Sequence, residues 1–148
     1  MEKKIEKRVV NQVYNLLNGA RLGKMTGGEK LSVVKLLRVL KPVAVEFDEV
    51  RNDIVEKMKP EGYDERLRKA IAFERKEETE MNLEEYHKFL KELNEYNQLV
   101  GKAVDELGNE VMTLETAALT EEALEHLFDN NDWTTEQVME VADFANEE

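Results

Sequence analysis

The 148-residue chain contains no cysteine. That absence excludes disulfide staples, thiolate catalysis and cysteine-ligated zinc, and it leaves the redox compartment undetermined. Serine occurs once, as Ser32 after Leu31, in no context that would activate a nucleophile, so acyl transfer by a serine triad is not expected. Proline is restricted to Pro42 and Pro60, and histidine to His87 and His126. No apolar run approaches the roughly 18 residues of a membrane span. The first residues, Met1 to Arg8, are charged rather than leader-like. A soluble protein is expected, in the cytoplasm or packaged into an assembly.

What is present fits a globular or long-helix protein: 41% of residues are apolar and 36% charged, a mixture that is neither low-complexity nor disorder-prone. The length suits a single domain. Its parts read as an N-terminal helix and Gly-rich loop (1–28), a helical body (29–108) and an acidic C-terminal region (109–148).

Charge is uneven. The net charge of -12 conceals an N-terminal stretch, Met1 to Lys41, with 10 basic and 3 acidic residues, and a remainder with 11 basic and 30 acidic. Lys102 is the last basic side chain apart from His126. Such asymmetry steers encounters without defining a fold. Mutual packing of the basic and acidic segments, or plain solvation, is the simplest reading. The N-terminal third could instead offer a basic patch to DNA or to an acidic partner, and the acidic end could mimic a polyanion.

Periodicity organises the chain. Ile5, Val9, Val13, Leu16 and Leu17 predict an amphipathic helix over 3–18. Gly19, Gly23, Gly27 and Gly28 then predict a turn-rich connection. It is not a phosphate loop, because Glu29 stands beside Lys30 and no strand precedes it. Leu31, Val34, Leu37, Leu40, Val43 or Ala44, Phe47, Val50, Ile54 and Met58 predict a long helix, or two joined at a kink, since a bend near Arg38 to Leu40 would relieve the clash and the missing amide of Pro42. The alternation in Val43 to Phe47 is strand-like but weaker than the helical period around it. Pro60, Glu61 and Gly62 stop the element. Leu67, Ala70, Ile71 and Phe73 mark a short helix, followed by a charged run beginning at Glu74. Asn82 and Glu85 form a capping signature for a helix over 83–107, whose stripe is Tyr86, Phe89, Leu90, Leu93, Tyr96, Val100, Val104 and Leu107. The two long helices are expected to cover each other's apolar faces, with the first helix laid across them.

Gly108-Asn109 signals a turn. Residues 111–116 alternate and are rich in Val and Thr, so they predict a short strand or extended arm. A lone strand is unstable in water, and with only a weak intramolecular candidate the segment is expected to pair across a subunit boundary or along a helix groove. Thr120 caps a short helix to about Phe128, and Asp129 to Asp132 break it. Trp133, Thr134, Gln137 and Val138 form a capping box with a hydrophobic staple on a last helix, beyond which Glu147 and Glu148 are expected to fray. The fold class is therefore mostly α: a long helical hairpin with an N-terminal helix, a short extended β-like segment and two short C-terminal helices.

Few residues suggest chemistry. Glu84 and His87 form half of a di-iron helix motif but lack the second half and its extra glutamates. Glu122 and His126 also share a helix face. Asp129 and Asn131 resemble the start of a calcium loop, yet its fifth and sixth positions hold Trp133 and Thr134 instead of an oxygen ligand and glycine. No catalytic residue, metal or other cofactor is expected. Trp133, with Phe128, Met139 and Phe144, reads first as an anchor for the last helix and second as an interface hot spot.

The stretch Lys35 to Met58, with its leucine face, its Lys41-Pro42 step and its Glu46-Phe47-x-x-x-Arg51 element, resembles a segment common in small helical proteins of tailed phages and prophages. The later order is similar too: a helix entering a Val- and Thr-rich segment, a short acidic helix, and a final helix opening near Trp133. The Gly-rich segment and Asn94 and Asn97 depart from that pattern. The resemblance implies a phage-derived accessory or virion-associated protein rather than a housekeeping enzyme.

Taken together, the expected role is protein–protein interaction or assembly without catalysis, in a homo-oligomer or with a phage or host protein. Contacts are expected at Val100, Val104, Leu107, Val111, Met112, Leu114 and Trp133. Nucleic acid, membrane and small-molecule substrates are not expected partners. Two alternatives stand beside it: an acidic inhibitor of a host nucleic-acid-binding or defence protein, acting through Glu115, Glu121, Glu122, Glu125, Asp129 and Asp132; and a metal-dependent helical enzyme, which requires His87 and His126 to converge.

Overall fold

From the N-terminus, strand β1 (Glu2–Glu6) leads into α1 (Lys7–Asn18), a glycine-containing loop, α2 (Gly27–Met58), α3 (Tyr63–Glu74), α4 (Leu83–Asn109), strand β2 (Val111–Glu115), α5 (Glu121–Asn130) and α6 (Thr135–Ala145). The computed structural model describes residues 2–146; the expected fraying of Glu147 and Glu148 lies outside the described residues. The fold is mostly α, as the periodicity predicts, and α2 runs through Pro42 as one helix. The alternation at 43–47 is thus a helical segment, with Ala44 and Phe47 buried.

The chain divides into two compact units, Met1–Glu49 with Leu107–Glu148, and Val50–Glu106, so the boundaries fall inside α2 and α4. In the first unit, Val10, Val13 and Leu17 of α1 pack with Val33, Leu36 and Leu40 of α2, with Leu124 and Leu127 of α5, and with Val141 and Phe144 of α6. Asn11 is buried in α1, and its side-chain amide donates to the Ala44 carbonyl (3.4 Å) and the Asp48 carboxylate (3.1 Å) of α2. The basic start and the acidic end of the chain therefore share one core. Lys7 pairs with Glu110 at 2.7 Å, and the Lys3 ammonium donates to the carbonyls of Asp143 (2.8 Å) and Asn146 (2.9 Å), where the C-terminus of α6 favours a cation.

Two expectations about this unit are corrected. The helix predicted over 3–18 begins at Lys7, because residues 2–6 pair antiparallel with β2. Backbone pairing and burial of Ile5 outweigh local helical spacing. The same pairing supplies the intramolecular partner that the sequence left in doubt for 111–116. The second correction concerns Gly27 and Gly28, which open α2 rather than a loop. Thr26 Oγ1 accepts from the Glu29 N–H (3.2 Å) and Glu29 Oε1 accepts from the Thr26 N–H (2.9 Å), a capping box that satisfies two donors at the helix start.

The second unit has a smaller core. Ala70 of α3, Phe89 of α4 and Met81 in the segment between them are its buried centre, and Tyr63, Leu67, Tyr86 and Leu93 pack around them. The first half of the α4 stripe is thus covered by α3 rather than by a matched stripe of α2. Tyr96, also buried, donates its hydroxyl hydrogen to the Val55 carbonyl of α2 at 3.1 Å. Val50, Ile54, Val100 and Val104 remain half-buried.

Candidate interaction surface

Strands β1 and β2 form a two-stranded antiparallel sheet with Lys3 opposite Leu114, Lys4 opposite Thr113 and Ile5 opposite Met112. The Lys7 N–H donates to the Glu110 carbonyl at 2.9 Å, one step beyond the sheet in the same register. Hydrogen-bonded pairs alternate along an antiparallel ladder, so the pairs that exchange bonds are Ile5 with Met112 and Lys3 with Leu114. The N–H and C=O groups of Val111, Thr113 and Glu115 consequently point away from β1. Among the described residues they form no other backbone hydrogen bond. This is an open strand edge.

The two edges of the sheet differ. On β1 the outward-pointing backbone groups belong to Glu2, Lys4 and Glu6, so every position carries a charge, a device that discourages strand addition. On β2 they belong to Val111, Thr113 and Glu115, and two of the three are uncharged. Val111 is 64% exposed, while Leu114 turns inward and is buried with the core. Met112 is half-buried against the same core. At the entry to β2, Gly108 is buried, and a Cβ there would lie 3.1 Å from Cβ of Arg8, so a side chain would push apart the junction that holds β1 beside β2.

The seven expected contact residues therefore fall into distinct settings. Val111 is exposed, Met112, Val100 and Val104 are half-buried, and Leu107 and Leu114 are buried. Trp133 is half-buried, packs on the first unit's core and meets Phe128 edge-on at 6.2 Å between ring centres, the geometry of an anchor. Its neighbours follow the capping account: the Gln137 N–H donates to Thr134 Oγ1 (3.2 Å) and the Thr134 N–H donates to Gln137 Oε1 (2.9 Å). Asn131, read as a helix breaker, clamps the Gly-rich loop by accepting from the Arg21 N–H (2.8 Å) and donating to the Arg21 carbonyl (3.0 Å).

The histidines have separate roles. His87 is exposed beside the Tyr86 ring, whereas His126 Nδ1 meets the Glu29 carboxylate at 2.8 and 3.0 Å. That hydrogen bond to Glu29 holds the His126 pKa above its ordinary value, with help from Glu122 and Asp129. The Glu29 pKa is lowered, first by the backbone N–H of Thr26 and also by His126. Glu29 was absent from the sequence-based candidates, although Thr26-x-x-Glu29 is a legible capping signature. Among the described residues no group of three or more His, Asp or Glu side chains could hold a metal ion.

In the second unit a surface cleft of about 770 Å³ is lined by Phe73, Glu74, Lys76, Met81 and Tyr86. Tyr86 stacks on Phe73 at 4.5 Å and donates to the Glu74 carboxylate at 2.5 Å, an arrangement that raises the phenol pKa and keeps it protonated. The acidic candidates Glu115, Glu121, Glu122, Glu125, Asp129 and Asp132 are all exposed. No described helix is long and apolar enough to cross a membrane. No family model, curated protein or solved structure matches the chain.

Proposed function

We propose that the protein is a non-catalytic protein–protein interaction module that receives a partner strand along β2. The observation that carries this reading is the contrast between the two sheet edges: β1 is charged at every outward position, while β2 offers Val111 and Thr113, whose outward backbone groups have no backbone partner among the described residues. Strand addition takes its affinity from backbone hydrogen bonds and its specificity from alternate side chains. A role as an accessory or assembly component of a phage agrees with such a module and rests only on the sequence resemblance of Lys35 to Met58 and of the element order that follows it.

Hydrogen exchange in dilute, monomeric protein tests the open edge. The amides of Met112 and Leu114, which face β1, should be protected, and those of Val111, Thr113 and Glu115 should exchange rapidly. Protection of all five in the monomer would mean that the edge is already covered, and the reading would fail.

The inhibitor reading draws on the exposed carboxylates of α5 and the absence of Lys and Arg beyond Lys102. It takes second place because Lys3 and Lys7 meet the C-terminal region within the fold.

A further inference from the structure

Resting on that reading, we infer that the strand received by β2 is the β2 of a second copy of this chain, in an antiparallel pairing centred on Thr113. The register follows from which groups are free. If two copies meet about a two-fold axis through Thr113, then Thr113 faces Thr113 of the other copy, and Val111 faces Glu115 in both directions. These are the residues whose N–H and C=O groups point outward, so each outward group finds a complementary one. A shift of one residue would set inward-pointing groups of one copy against outward-pointing groups of the other and lose the bonds.

Side chains favour the same arrangement. On the core-facing side of the extended sheet, Met112 of one copy lies opposite Leu114 of the other, which continues the apolar surface that each already turns toward its own core. On the outer side, Thr–Thr is a favourable cross-strand pair, and Val111 opposite Glu115 brings no like charges together. The corresponding self-pairing of β1 about Lys4 fails this test, because it would set Lys4 against Lys4 and Glu2 against Glu6. The product is a four-stranded sheet ordered β1-β2-β2-β1, with charged β1 strands at both new edges. Such a sheet ends growth at the dimer, as a closed two-fold assembly requires.

Charge also sets the response to salt. Each copy carries a net charge of -12, so two copies repel at long range, while the proposed contact is backbone and apolar. Screening should therefore strengthen association, the opposite of what an acidic protein gripping a basic target would show.

The test is the mass in solution by scattering-coupled chromatography across protein concentrations and at low and high salt, for the wild type and for Thr113→Glu. Within one copy this substitution faces Lys4 and preserves the β1–β2 pair. Across the two-fold axis it opposes itself, and because it counts twice the dissociation constant should rise about tenfold or more. Mixing Thr113→Glu with a Lys4→Glu/Thr113→Lys double variant, which keeps opposite charges across β1 and β2 within its own copy, should restore a dimer, since the axis then pairs opposite charges. A wild type that stays at 17.2 kDa at every concentration, or a Thr113→Glu variant that dimerises like the wild type, overturns the inference. With rapid exchange at 111, 113 and 115 in the dilute protein, that failure would leave the module reading standing; with those amides protected, both would fall.

Discussion

His126 Nδ1 lies 2.8 Å from one oxygen of the Glu29 carboxylate and 3.0 Å from the other, so a single ring nitrogen joins α5 to the capping box that starts α2. The pair sets a pH dependence whose sign can be worked out. The His126 pKa is raised above its ordinary value of about 6.5, so protonation favours the folded state. That contribution is fully present below about pH 6.5 and is lost as pH rises through the raised value. The Glu29 pKa is lowered, so its contribution is present above the ordinary carboxylate value of about 4.3 and is lost as pH falls through the lowered one. Stability from this pair should therefore plateau between those limits and decline on either side. Urea unfolding from pH 4 to 8 should show the decline above neutrality weakened in Glu29→Gln. Titration of the His126 ring by NMR checks the cause, and a midpoint at or below 6.5 would be incompatible with the assignment.

Lys76 carries the one positive φ of a non-glycine residue among the described residues, at 56°. It follows α3 in a Schellman arrangement: the Lys76 N–H reaches the Phe73 carbonyl (3.2 Å) and the Glu77 N–H reaches the Ala72 carbonyl (2.9 Å). An L side chain in this conformation costs about 1 kcal/mol, which glycine avoids. Lys76→Gly should accordingly stabilise the protein by an amount of that order in chemical denaturation. A loss of stability would show that the lysine side chain itself contributes more than its backbone conformation costs.

The capping box of α6 gives a sharper test of local chemistry. Thr134→Ala removes the oxygen that accepts from the Gln137 N–H and should cost about 1 kcal/mol, while Thr134→Ser should cost much less. Because Gln137 Oε1 accepts from the Thr134 N–H in return, the effects of Thr134→Ala and Gln137→Ala should be non-additive in a double-mutant cycle. Strict additivity would mean that the two hydrogen bonds act independently.

The elements legible in the sequence were those whose signals are local. Thr134-x-x-Gln137 announced its helix because a capping box depends only on neighbours, and the stripes of α2 and α4 announced theirs by period. Glu2–Glu6 failed for the opposite reason: Ile5 fits helical spacing as well as strand alternation, and only Met112, far along the chain, decides between them. The same distance hid His126 from Glu29. The strand at 111–116 was legible and its partner was not, so the expected subunit boundary became a surface with one side already filled. Thr26-x-x-Glu29 was local and legible, but two glycines between its members masked it as a loop.

The largest expected effect concerns α6. Its Val141, Phe144 and Ala145 are essentially inaccessible, and its last turn is tied back to the body by the Leu119 N–H, which donates to the Ala145 carbonyl at 2.9 Å, and by Lys3 on the Asp143 and Asn146 carbonyls. Burial of Val or Phe is worth about 1.5–3 kcal/mol each, so removing residues 131–148 deletes on the order of 5 kcal/mol and bares the apolar faces of α1 and α5 that α6 covers. Loss on that scale matches the whole stability of many domains. A chain ending at Asn130 should therefore lose its cooperative thermal transition by circular dichroism, whereas Trp133→Phe should retain it with a modest decrease, since the smaller ring still packs on Phe128. If the shortened chain melts like the intact one, Trp133 and the helix it introduces are not an anchor, and the aromatic surface they form would have to be read as a site for a partner.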